Sequence, residues 1–200
     1  MAKFNADLID DVARRRAVLF IGAGASKWAR PNGGGRFKDW EEFLVAANSR
    51  LPARSRAKRI VAGLIVERDY LLASELLKDQ LADAWTDLLT QEFQQAAEVS
   101  RLHKAIVALE PRIILTTNFD KLIESAWSTT ATDRYPTIVS RIDADVFWLF
   151  RNEDKYLIKL HGGIDIPKEI VFDKTSYQAN AFANSFYSEM LSSLLLVRCG

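Results

Sequence analysis

A single cysteine, Cys199, occurs in 200 residues, which excludes an internal disulfide and any zinc site built from several cysteines. Histidine is nearly as scarce: His103 and His161 are the two present. No apolar run approaches the ~20 residues that a membrane span needs, and the polar start does not read as a secretory leader. Charge of neither sign dominates, since 27 basic and 26 acidic side chains leave a net charge of +1. No overall field therefore draws the chain to nucleic acid or to an anionic membrane. The local excess from Arg50 to Arg59 reads as a solvated helix face with its flanking loop. The expectation from these absences is a soluble, cytoplasmic protein with no metal, no direct nucleic-acid contact and no membrane association.

Hydrophobic residues make up 48% of the chain, enough to bury a core for one domain of roughly 100–200 residues. Phe4, Leu8, Ile9 and Val12 recur at helical spacing, predicting a helix over about residues 5–16. The apolar run Ala17–Ile21 reads as a buried parallel strand. A helix carries Trp40, Phe43, Leu44 and Ala47 on one face, and from about Arg56 to Leu109 the text is helical almost throughout. Asp39 and Glu42 have capping-box spacing, Ser100 is placed to cap a later helix, and Pro111 ends it. Several helices between two strands exceed what one crossover needs, so residues 40–109 read as a helical insertion on an α/β core. Strand character returns at Arg112–Thr116, Thr137–Val139, Lys155–Leu160 and Glu169–Phe172; residues 175–193 read as helix, and Leu194–Val197 as a last strand. The fold class expected is α/β, a Rossmann-like parallel sheet flanked by helices. A strand running into Gly200 reads as a cut within a longer protein.

Three segments carry candidate chemistry. Gly22-Ala23-Gly24-Ala25-Ser26 ends the first strand in bare backbone that a phosphate can approach, and a helix starting there would aim N–H groups at it. The turn is not the ordinary dinucleotide fingerprint: a third glycine is missing, and no acidic residue follows about 20 positions on at a strand end. Thr116-Thr117-Asn118-Phe119-Asp120 lies where a strand gives way to a helix. Asn118 can donate and accept, so it could hold a carboxamide or a water, and Asp120 could accept from ribose hydroxyls. Either could equally be a helix cap. His161, between an apolar strand and Gly162-Gly163, suits a general base near neutral pH, or a buried structural histidine. His103, on a helix between Leu102 and Lys104, reads as structural. Trp85, Phe93 and Trp148 read as core, with an oligomer face as the other possibility.

Taken in chain order, these three segments resemble the sirtuins, and more closely the bacterial sirtuin-like NAD-hydrolysing domains of anti-phage defence proteins. The resemblance runs from about Phe4 to Ser193, so one domain over residues 1–200 is expected. It implies that Gly22, Ala23, Gly24 and Ser26 cradle the NAD pyrophosphate. Thr117, Asn118 and Asp120 would surround the nicotinamide and its ribose, and His161 would be the catalytic histidine with Asn118. Trp40 and Glu41 match a tryptophan-centred helix start common in the bacterial branch. NAD is then a substrate, cleaved to nicotinamide and ADP-ribose, in a homo-oligomer or with an activating defence partner. Two departures stand out. The four-cysteine zinc module of deacylase sirtuins is missing, and Gly35-Arg36-Phe37-Lys38-Asp39 does not match their acidic-aromatic segment. The family's later glycine-serine loop would begin at about Gly200. The alternatives are an NAD-dependent protein deacylase and a non-catalytic module that binds NAD or ADP-ribose.

Overall fold

The computed structural model describes residues 4–130, 134–143 and 153–196. In chain order its elements are α1 (Ala6–Ala13), β1 (Val18–Ile21), β2 (Arg30–Pro31), α2 (Trp40–Ser49), α3 (Arg56–Val66), α4 (Tyr70–Leu81) and α5 (Asp83–Phe93). There follow β3 (Ala97–Glu98), α6 (Arg101–Ala108), β4 (Ile113–Thr116), α7 (Leu122–Thr129), β5 (Thr137–Val139), β6 (Tyr156–Lys159), α8 (Lys174–Gln178) and α9 (Ser185–Leu196). Four of the strands form a parallel sheet in the order β1-β4-β6-β5. The α/β, Rossmann-like expectation holds.

The apolar runs that marked β4 and β6 are continuous because both faces of the sheet are covered. Ile114 and Leu157 face α6 and α7, packing with Val107, Ile123, Ala126 and Trp127. Ile113, Leu115, Tyr156 and Ile158 face the other way, against Met190 and Leu194 of α9. A third cluster joins α2–α5 through Phe43, Leu44, Leu77, Trp85 and Leu89, and it takes in Phe119, Ile164, Ile170 and Phe172 from the loops at the sheet's end. Trp85 and Phe93 thus pack in the core, as expected; Trp148 lies outside the described residues.

The helix starts legible in the sequence form as read. Asp39 and Glu42 make a full capping box on α2, and the Ser100 hydroxyl accepts the His103 N–H at the start of α6. Other expectations need correction. No α-helix follows the glycine turn; Ser26–Trp28 is one 3-10 turn. The N–H groups of Ala25 and Ser26 donate back to the carbonyls of Gly22 and Ala23, so the dipole of a full helix is not aimed there. Glu169–Phe172 is not a strand: Pro167–Glu169 is a 3-10 turn, and Ile170, Val171 and Phe172 are buried by side-chain packing, with the Val171 N–H donating to the His161 carbonyl at 2.9 Å. Residues 175–193 are not one helix, because a π-helical turn over Ala179–Ala183 and Asn184 separate α8 from α9. Leu194–Leu196 continue α9 rather than beginning the expected strand Leu194–Val197, whose Val197 lies outside the described residues; the four-residue spacing of Phe186, Met190 and Leu194 against the sheet outweighs the local apolar run. Helix α1 is shorter than the periodicity reads and closes at Arg15, whose φ is +58°.

One glycine is required by this geometry. Gly162 has φ +78°, and a Cβ there would stand 2.9 Å from the Glu169 carbonyl oxygen. It lets the chain turn back immediately after His161.

Candidate functional site

The register of the sheet brings the three motif segments together. Ile21, Thr116 and Lys159 are level with one another as the last residues of β1, β4 and β6. The segments starting at Gly22, Thr117 and Leu160 therefore leave adjacent strands at the same height, at their carboxyl ends, where open α/β sheets collect ligands. A cavity of about 270 Å³ lies over this edge. Ala23, Ser26, Thr117, Asn118, Asp120 and His161 all line it. Gly22 and Gly24 are not in its wall, yet no described atom lies within 4 Å of a Cβ built on either. The protein's own packing does not demand glycine there, so the bare backbone leaves free room beside the cavity.

A chain of hydrogen bonds locks the first two segments together. The Asn118 side-chain amide donates to the Gly22 carbonyl at 3.1 Å and to the Ser26 hydroxyl at 2.9 Å; the Ser26 hydroxyl donates to Asp120 Oδ2 at 2.6 Å. The carbonyl of Gly22 fixes which way Asn118 points, because only the NH₂ end can face it. Asn118 is 8% exposed, and its Oδ1 is buried with no hydrogen-bond partner among the described residues. A buried acceptor left unmet costs ~1–3 kcal/mol, and a donor entering the cavity would recover it. Asp120 divides its carboxylate: Oδ1 accepts the Leu122 N–H at 3.0 Å, so it turns the chain into α7 while Oδ2 holds Ser26. Neither Asn118 nor Asp120 is the cap of α7, since Lys121 holds that position without a side-chain cap; Asp120 makes a local turn bond and also lines the cavity.

His161 approaches from β6. Burial alone pushes its imidazole below the ordinary 6.5, so it is neutral, and able to accept a proton, at pH 7. Its ring meets the edge of Tyr177, centroids 6.2 Å apart. His103 behaves as expected of a structural residue: it is buried under α6 with Nδ1 2.8 Å from the Ser100 hydroxyl, and burial lowers it too, opposed by Asp120. Among the described residues no group of three His, Cys, Asp or Glu side chains could hold a metal ion.

Both histidines take up protons more readily unfolded than folded. Stability should therefore hold above about pH 6.5 and fall as pH drops below it, until the lowered folded values are reached. Glu124, which burial pushes up despite Lys159, works in the opposite sense at lower pH. The urea midpoint is expected to drop between pH 7 and about 5.5, and His161→Gln should make that drop smaller; an equal drop in the variant would exclude His161 as a source.

The rest of the wall was not legible as a site. Phe37, Trp40, Phe93, Phe119 and Phe172 supply an aromatic side, with Trp40 and Phe172 stacked at 5.1 Å. Of these Trp40 has a signal in the helix start it shares with Glu41, and Phe119 lies inside the Thr116–Asp120 motif; Phe37, Phe93 and Phe172 carry none as site residues. Glu41 itself points away, accepting from the Tyr70 hydroxyl. Lys159, behind the wall rather than in it, was not legible either. A lone lysine inside an apolar strand is the signal that could have marked it, since buried ammonium groups need partners.

Residues 112–199 match the family model described as SIR2-like domain. That segment is therefore similar to a family whose members are NAD-utilising enzymes. No curated protein matches the chain. The SIR2-like segment contains β4 to α9, and with them Thr117, Asn118, Asp120 and His161. The glycine turn lies outside it, joined to it by the Asn118 and Ser26 hydrogen bonds. In the SIR2-like segment and beyond, no described helix is long and apolar enough to cross a membrane.

Proposed function

We propose that this protein hydrolyses NAD, releasing nicotinamide and ADP-ribose. One observation carries the reading: Asn118 and His161, from separate strands, line one cavity in which Asn118 offers a buried, unmet acceptor. Cleavage of a C–N glycosidic bond builds positive charge on the ribose, as in other glycosyl transfers, and nicotinamide leaves neutral, so no acid is needed on its side. Asn118 Oδ1 would accept from the carboxamide N–H or from the attacking water. His161, neutral at pH 7, would take a proton from that water or from a ribose hydroxyl. Thr117 and Asp120 would flank the ribose, with Gly22, Ala23, Gly24 and Ser26 beside the pyrophosphate. The open space at the two glycines supports that placement; the short 3-10 turn means that it draws no support from a helix dipole.

The resemblance extends the proposal further. It favours one domain over residues 1–200 with residues 40–109 as an insertion, an assembling cytoplasmic protein, and an effector that depletes NAD in anti-phage defence on a partner's signal. Incubating the protein with NAD over a range of protein concentrations and measuring free nicotinamide tests the reaction. Release without any acylated peptide supports hydrolysis. Release only with acylated peptide would make it a deacylase, and tight NAD binding with no release at any concentration would make it a binding module.

A further inference from the structure

Strand β6 is apolar at Tyr156, Leu157 and Ile158 and then buries a lysine that is 2% exposed, two residues before His161. An ammonium in such a place must be paired and fully hydrogen-bonded. Lys159 Nζ lies 2.6 Å from Glu124 Oε1, which answers the charge. It also donates to two backbone carbonyls, that of Asp120 at 2.6 Å and that of Phe119 at 3.3 Å. Three contacts use all three ammonium protons, and all three fall on the loop from β4 and the first turn of α7. Neutralising Glu124 needs only the first. The other two grip the backbone directly after Asn118, whose Phe119 carbonyl also accepts the Ile164 N–H at 3.0 Å. The stem is closely fitted as well: a Cβ at Gly163 would stand 3.2 Å from Lys159 Cδ.

We infer that Lys159 is a positioning residue, tying the Asn118–Asp120 backbone to the strand that carries His161 so that the two sides of the cavity keep one spacing. The inference rests on the NAD-hydrolysis reading for its catalytic consequence, but the tie itself has a readout that needs no turnover.

The test compares Lys159→Met with the double variant Lys159→Met/Glu124→Leu. The single variant leaves a buried carboxylate unpaired and should lose stability. The double removes both charges and should recover most of the melting temperature, as replacement of buried ion pairs by apolar residues often does. Its loop should stay loose. Amide exchange over residues 118–122 is expected to be ~10-fold faster than wild type, with residues 113–116 unchanged, and kcat for nicotinamide release ~10²-fold lower. Wild-type exchange over 118–122 in the double variant overturns the inference, as does recovery of kcat along with stability, which would leave Lys159 only the task of neutralising Glu124. A wild-type protein that releases no nicotinamide refutes the NAD-hydrolysis reading alone, and the exchange data still decide the tie. If the double variant fails to fold, Gly163→Ala, which presses on the lysine stem, gives the same exchange readout with a smaller expected change.

Discussion

Replacing His161 with alanine is expected to lower nicotinamide release by ~10²–10⁴-fold, the usual contribution of a positioned general base, while leaving the fold intact. The imidazole sits at the tip of β6 on the cavity wall rather than among the sheet's core clusters, so its removal opens no large void. Its backbone is held independently of the ring, through the Val171 N–H and the tight turn at Gly162. Burial keeps it neutral at working pH, so the acid limb of kcat/KM in the wild type should lie below the ordinary histidine value and vanish from the residual rate of the variant. Circular dichroism and the melting temperature check the fold. A folded variant with wild-type turnover would remove His161 from the reaction.

The second large effect is expected at Asn118, and here loss of turnover should come with loss of discrimination. Asn118→Ala takes away the buried acceptor, and with it the amide that ties Gly22 and Ser26 to the β4 loop. A fall of ~10²–10³-fold in kcat/KM is expected, comparable to deleting one oriented polar group that faces a reacting centre. Because Oδ1 can only accept, the wild-type site should select a substrate carrying a carboxamide N–H over nicotinic acid adenine dinucleotide, whose carboxylate offers no donor. The alanine variant should lose most of that preference. Competition kinetics with the two dinucleotides measure it, and an unchanged ratio would place the carboxamide elsewhere.

The two central strands were readable because they are covered on both sides: Ile113–Leu115 and Tyr156–Ile158 write burial directly as unbroken apolar runs, whereas β1, expected to be a buried strand, lies at the sheet's edge with Phe20 56% exposed. Caps at Asp39 and Ser100 were readable because their hydrogen bonds are local in sequence. The run starting at Leu194 misled for the converse reason, since whether an apolar run is strand or helix is settled by tertiary packing, and the partner of Leu194 is the sheet, far away in the chain. Ile170–Phe172 misled in the same way: buried side chains do not imply a ladder. Within the site, the polar members other than Lys38 were visible as motifs at strand ends. The aromatic side was not, because Phe37, Phe93 and Phe172 come from three separate segments and look like ordinary core residues. Lys159 was passed over as one letter in a hydrophobic run, although its charge was the anomaly.

The helical layer and the cavity share material. Phe119 and Phe172 belong to the same packed cluster as Phe43, Trp85 and Leu89, and they also form part of the cavity wall. Tightly packed interiors resist compression and pass displacements along. Any event that shifts α2 or α5, whether a distant substitution or a neighbour pressing on their outer surface, therefore reshapes the chamber without touching a polar group in it. Packing alone thus links α2 and α5 to the aromatic side of the cavity.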